Sequence, residues 1–196
     1  MFRHVTFAAV IALSLSGCGV SEQFALPYTP TAARAAGPAR PIVTVGAVTD
    51  ERQDGQANTA QFGTIRGGYG NPLFRLSADA PVSGVVAQAL RDGLAARGLL
   101  SGDGGSYELR GRVLRFNASK LLRVEATVEI EGTLVHRSTG TVAWTGRGLS
   151  NATEVGNIIA TGIAANPQEL RDVTLRAMSA AVDQMLDRPD FAAALR

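Results

Sequence analysis

Residues that carry chemistry are scarce in this chain of 196. It has one cysteine, Cys18, so no disulfide can close within a single copy and stability must come from the core. It has two histidines, and only His136 lies beyond the N-terminal leader. Nucleophilic catalysis by serine or cysteine ordinarily needs a histidine base nearby, and a zinc site needs several Cys or His ligands. Ligand supply therefore excludes a metal site of the usual kind, and no cofactor is expected. Charge lacks a decisive sign, with Lys plus Arg at 19 against Asp plus Glu at 17, so no basic surface for nucleic acid follows. No apolar stretch reaches the roughly 20 residues that a membrane-crossing helix requires. Hydrophobic residues at 45% and charged residues at 18% still describe a globular domain rather than a disordered chain.

What is present begins at the leader. Met1-Phe2-Arg3 makes a positive start, an apolar run from Val5 to Leu13 follows, and small residues close it. That is a secretory signal. The small residues end on a cysteine, and Leu15-Ser16-Gly17-Cys18 resembles the lipobox of bacterial lipoproteins. The resemblance implies cleavage before Cys18, a thioether-linked diacylglycerol on its sulfur and acylation of the new amino terminus. Each buried methylene contributes about 0.8 kcal/mol, so three long chains would anchor the protein almost irreversibly. Gly19 stands where an aspartate would imply retention in the inner membrane, which favours the outer one. Residues 1–17 thus read as a lipoprotein signal peptide. Residues 18–40, rich in Ala, Pro, Gly and Thr, read as the lipidated cysteine and a flexible tether. Residues 41–196 read as a single α+β domain in the periplasm.

Within that domain, residues 41–49 are β-branched and apolar enough for an interior strand. Residues 56–78 read as a long irregular loop, with a short strand at most over 62–65. Val82, Val85, Val86, Ala89, Leu90 and Leu94 fall at helical spacing and predict a helix over 81–96, with Asp79 as N-cap and Gly98 as stop. Residues 122–134 alternate apolar with Arg123, Glu125, Thr127, Glu129 and Glu131, the period of a half-buried strand. Strands over 107–116 and 141–149 flank it. A turn at 117–120 sets a first register in which paired residue numbers sum to 237. A turn at 136–140 sets a second register summing to 276, with Trp144 opposite Gly132 and buried. Asn166-Pro167-Gln168-Glu169 opens the last helix with an N-cap, a proline and a capping-box glutamate, and Pro189 ends it. The order β-α-β-β-β-α predicts a two-layer α+β fold, a mainly antiparallel sheet with two helices packed on one face.

This order, the run Gln88-Ala89-Leu90-Arg91-Asp92-Gly93-Leu94-Ala95-Ala96-Arg97-Gly98 and the closing helix resemble the YajG-like family of outer-membrane lipoproteins. The resemblance implies a lipid-anchored envelope protein on the periplasmic side of the outer membrane, and it brings no active-site residue. The expectation is a non-enzymatic scaffold or interaction module in outer-membrane maintenance, partnered by an envelope protein. The alternative is an auxiliary lipoprotein of a lipid-transporting ABC system, whose ligand would be a lipid. Besides Cys18 for lipidation, the candidate contact residues are Arg66, Tyr69 and Phe74 around the glycine-rich loop, since aromatic groups are enriched in binding patches. Glu125, Glu129 and Glu131 could in principle support two-carboxylate hydrolysis. Beside Arg110, Arg112 and Arg123, cross-strand charge pairing explains them more simply. His136 reads as a solvated turn residue.

Overall fold

The computed structural model describes residues 20–31, 40, 42–53, 55, 57–102, 104–154 and 166–196. Residues 1–17, read above as a signal peptide, and Cys18 lie outside the described residues. The elements are β1 (Val20–Phe24), β2 (Val43–Asp50), β3 (Gln61–Arg66), β4 (Pro72–Ala78), α1 (Val82–Ala95), β5 (Tyr107–Lys120), β6 (Val124–His136), β7 (Val142–Glu154), α2 (Pro167–Leu186) and α3 (Pro189–Ala194). The sheet runs β1-β4-β3-β5-β6-β7, and β2 also pairs with β5. β2 lies parallel to the first part of β5 and β3 lies parallel to its last residues. The long β5-β6-β7 meander is antiparallel. α1 packs over β2 and β5, and α2 packs over β6 and β7. The result is the expected α+β architecture, a sheet with its helices on one face.

The patterning explains the core. Val82, Val86, Ala89, Leu90 and Leu94 of α1 meet Leu109 and Val113 of β5, all at most 1% exposed. Val173, Met178 and Met185 of α2 are fully buried with Ile130 and Leu134 of β6. Each large side chain so buried contributes about 1.5–3 kcal/mol. The turn after α1 ends at Gly98, whose φ of +66° is reached cheaply only by glycine. Asn166 caps α2 by accepting a hydrogen bond from the Gln168 N–H at 3.0 Å, ahead of Pro167. α2 crosses β7 where Gly148 leaves room, since a Cβ there would overlap the Ala181 carbonyl. Asp79 does not cap α1, which starts after Pro81 without a side-chain cap.

Several expectations are corrected. The stretch read as a tether contributes β1, parallel to β4, and Phe24, Leu26 and Tyr28 are buried at every second position. Pro27 within that period-two pattern and Pro30 just after it gave the stretch the composition of a linker. Residues 32–39 of the tether lie outside the described residues. The 56–78 stretch is no irregular loop, because residues 61–66 and 72–78 form an antiparallel hairpin closed by the glycine-rich turn. β2 is not an interior strand. It pairs with β5 on one side, and on the other has a single bridge from Val43 to Leu100. Pro189 ends α2 but also opens α3.

Both meander registers differ from expectation. β5 runs on through 117–120, so its turn falls at 121–123 and the pairs sum to 243, with Leu109 opposite Leu134 and Val113 opposite Ile130. A bulge at Leu114 shifts the sum to 244 and brings Phe116 and Ala118 onto the buried face. In the second hairpin Trp144 faces Leu134 rather than Gly132, a sum of 278. The slips before the bulge and in the second hairpin are even, so the buried face is unchanged; a slip of one would have reversed it.

Candidate interaction surfaces

The sheet face away from the helices carries a chain of ion pairs fixed by register. Arg112, Glu131 and Arg147 are direct partners across β5, β6 and β7, and Arg115 faces Glu129. Arg112 binds Glu51 and Glu131, each at 2.5 Å, and Arg147 binds Glu131 at 2.7 Å and Glu129 at 3.5 Å. Arg115 completes the chain on Glu129 at 2.7 Å. The glutamates of the central strand are largely covered, with side chains 11% and 15% exposed, while the arginines over them are about half exposed. The guanidiniums are thus what a partner would meet. The Arg147 and Arg112 hydrogen bonds hold the Glu131 carboxyl below its usual range against the opposing effect of burial. Arg112 does the same for Glu51, and Arg110 for Glu108. Glu125 accepts from the Ser119 hydroxyl at 2.9 Å.

The contact residues proposed around the glycine-rich loop do not converge. Tyr69 stands fully exposed at the turn between β3 and β4. Arg66 is exposed and donates to the Gly70 carbonyl at 3.2 Å. Phe74 lies opposite Ile65 and packs partly against the core, so it belongs to the fold as much as to any surface. His136 closes β6 rather than standing in a free turn. Its ring is half-buried against Tyr107 at 5.1 Å, and Nδ1 shares a hydrogen with the Ser138 hydroxyl at 3.0 Å. Among the described residues no three His, Cys, Asp or Glu side chains gather as a metal site.

Two polar clusters escaped sequence reading. Arg52 is 2% exposed and uses all five of its N–H donors. Nε and Nη2 bind the Asp50 carboxylate at 2.8 Å. The remaining N–H groups donate to the carbonyls of Gln61, Phe116 and Thr59. Burial works to raise the Asp50 carboxyl, but the Arg52 bonds outweigh it and lower it. This fork ties the end of β2 to β3 and to the bulged part of β5. The second cluster gathers on Asp183 of α2. Tyr28 donates to one carboxylate oxygen, which also takes Arg97 Nη2 at 3.0 Å. The Thr31 N–H and hydroxyl donate to the other oxygen at 2.7 and 2.6 Å. Burial opposes ionisation here, yet the Thr31, Tyr28 and Arg97 bonds prevail and lower Asp183 to about 2. The N-terminal segment is thereby fastened to α2 and to the end of α1.

The described residues thus form a mixed sheet with helices on one face, ion-paired charges on the other and a fastened N-terminal segment. No family model matches the chain, and no curated protein does. Solved structures do. Protein XCC0632 from Xanthomonas campestris, of the DUF330 family, superposes with a TM-score of 0.57 at 13% identity over 81% of this chain and 88% of its own. That likeness shows a shared fold. PelC from Paraburkholderia phytofirmans, solved as a dodecamer, has 15% identity over 74% of this chain and 88% of its own, with a TM-score of 0.41. Lipoprotein GNA1162 from Neisseria meningitidis has 15% identity over 67% and 90%, with a TM-score of 0.29. Superpositions this loose carry no argument. None of these likenesses singles out the YajG-like family.

Proposed function

We propose that this chain is a lipid-anchored lipoprotein on the periplasmic side of the bacterial outer membrane, and that it acts as a non-enzymatic interaction module in envelope maintenance. One observation carries the reading. The leader ends at Cys18, and β1 begins at Val20, so the anchor site joins the sheet almost directly. The segment that follows is then fixed by Tyr28 and Thr31 to Asp183, which suits a domain held and loaded through its N-terminus. The non-enzymatic part is supported by the carboxylates of the open face. Arg147 and Arg112 hold Glu131 below its usual range, whereas a general acid must keep its proton near neutral pH, and Glu129 is likewise taken up in ion pairs with two arginines.

The rival reading, an auxiliary lipoprotein of a lipid-transporting ABC system, would be favoured by an acyl-sized cavity between helices and sheet. The centre of that layer is filled by Val86, Leu90, Leu94, Leu109, Ile130 and Met185, all fully buried, and the hollow of about 880 Å³ between α2 and the end of β7 is an open groove at its margin.

Crosslinking in intact envelopes tests the interaction module. A photoreactive group at Thr145 on the exposed sheet face should capture a defined envelope protein. Charge reversal at Arg115 and Arg147 should abolish that product. Crosslinking that is absent, or indifferent to the reversal, would contradict this use of the face.

A further inference from the structure

One end of the sheet gathers apolar and cationic tips beside the anchor site. Val20 pairs with Phe74, Ile65 pairs with both Phe74 and Lys120, and Lys120 pairs with Val124. The start of β1, the β3–β4 turn and the β5–β6 turn therefore share one rim. At about 4.8 Å per strand, the two turns lie roughly 7 and 17 Å along that rim from β1. Four of the six exposed large hydrophobic residues among the described residues are there: Tyr69 at 102%, Leu73 at 41%, Leu121 at 43% and Leu122 at 77%. Exposed Arg66, Arg75 and Arg123 accompany them and carry no ion pair among the described residues. Of the nearby acids, Glu125 is turned onto Ser119 and Glu154 onto Arg176, while Glu22 of β1 stands two residues in from Val20.

We infer that this rim is a second membrane contact, with Tyr69, Leu73, Leu121 and Leu122 seated in the lipid headgroup layer and Arg66 and Arg123 on lipid phosphates. The inference rests on the anchored reading and deepens it. Covalent reach supplies the reason. Cys18 is two residues before Val20, so it lies within about 7 Å of the sheet even when extended. The polar headgroup layer is itself about 5–7 Å thick on each side of the hydrocarbon. A lipid on Cys18 therefore keeps the start of β1 near the surface, and the rim beside it is the part of the domain best placed to meet the headgroups. Tyrosine is enriched at that depth, where its ring is apolar and its hydroxyl wet, and arginines there are drawn to anionic lipid.

The test uses the full-length lipoprotein. With Cys18 lipidated, a cysteine introduced by Tyr69→Cys, Leu122→Cys or Ser138→Cys is the single free thiol and can carry an environment-sensitive dye. Ser138 lies in the β6–β7 turn, at the opposite end of the sheet. Each protein is reconstituted into phosphatidylethanolamine–phosphatidylglycerol vesicles containing nitroxide-labelled lipid, after intact mass has confirmed the acyl chains. The dyes at 69 and 122 should be quenched several-fold more strongly than the dye at 138, with blue-shifted emission. Equal quenching at all three positions on lipid-bearing protein would overturn the rim contact while leaving the anchor intact. Dyes at 69 and 122 shielded only in native envelopes would assign the rim to a protein and also overturn it. Protein that carries no lipid would remove the anchored reading and the contact together.

Discussion

Tyr28 of the N-terminal segment donates its hydroxyl hydrogen to the carboxylate of Asp183 on α2, across 155 residues of chain. With Thr31 and Arg97 on the same carboxylate, this is the bolt that joins the N-terminal segment to the helical layer.

The bolt should respond to acid. Asp183 is lowered to about 2 in the fold from 3.8. A depressed carboxyl contributes stability that is fully present above its unfolded value and lost as pH falls through its folded one. Denaturation midpoints should therefore decline between about pH 4 and pH 2. Asp183→Asn should lower stability at neutral pH and flatten that decline. An unaltered pH profile in Asp183→Asn would show that the carboxylate does not fasten the segment.

Arg52 should not tolerate lysine. An ammonium offers three donors and no fork, so it cannot serve the Asp50 carboxylate in two-pronged fashion and three backbone carbonyls as well. Arg52→Ala should cost about 3–5 kcal/mol, the range for breaking a buried pair and stranding its partner. Arg52→Lys should recover little of it. Chemical denaturation measures both, and full recovery by lysine would mean that charge alone is what the site uses.

Trp144 is 7% exposed and meets Phe191 of α3 edge-on at 4.9 Å. Its ring lies over Gly146 of its own strand. Among the described residues the indole N–H is buried without a hydrogen-bond partner, and nearby Asp190 is lowered to about 2 chiefly by its hydrogen bonds from Arg188. Trp144→Ala should cost about 3–5 kcal/mol, as truncation of large core aromatics does. Trp144→Phe should cost less, because it keeps most of the ring and deletes an unpaired donor. An unchanged denaturation midpoint in Trp144→Ala would contradict its place in the core.

The two layers, α1, α2 and the inward face of the meander were legible because one-sided burial imposes periods of 3.6 and 2 on the apolar residues. Trp144 inside and Glu131 outside followed from that alternation. Pairing register was not, since it turns on whether 117–120 bends or extends. Val113, Val124 and Ile130 are equally at home in either register. The bulge at Leu114 breaks the alternation in β5 and had no visible marker. Phe24, Leu26 and Tyr28 spelled a buried strand edge, but the prolines around them suggested a linker. Arg52 looked like one charge in a polar turn, because its five acceptors come from four separate places along the chain. Arg66, Tyr69 and Phe74 are neighbours in sequence, whereas the hairpin sends Phe74 toward the core and Tyr69 to the tip.

The anchor itself is tested most directly by intact mass of the protein extracted from membranes. The account predicts a chain that begins at Cys18 and carries the added mass of a diacylglycerol and an amide-linked acyl group. Cys18→Ser should accumulate as an unlipidated precursor, since only the thiol accepts the diacylglycerol. A mature chain that starts elsewhere and carries no lipid would contradict the account, its location and its rim contact together.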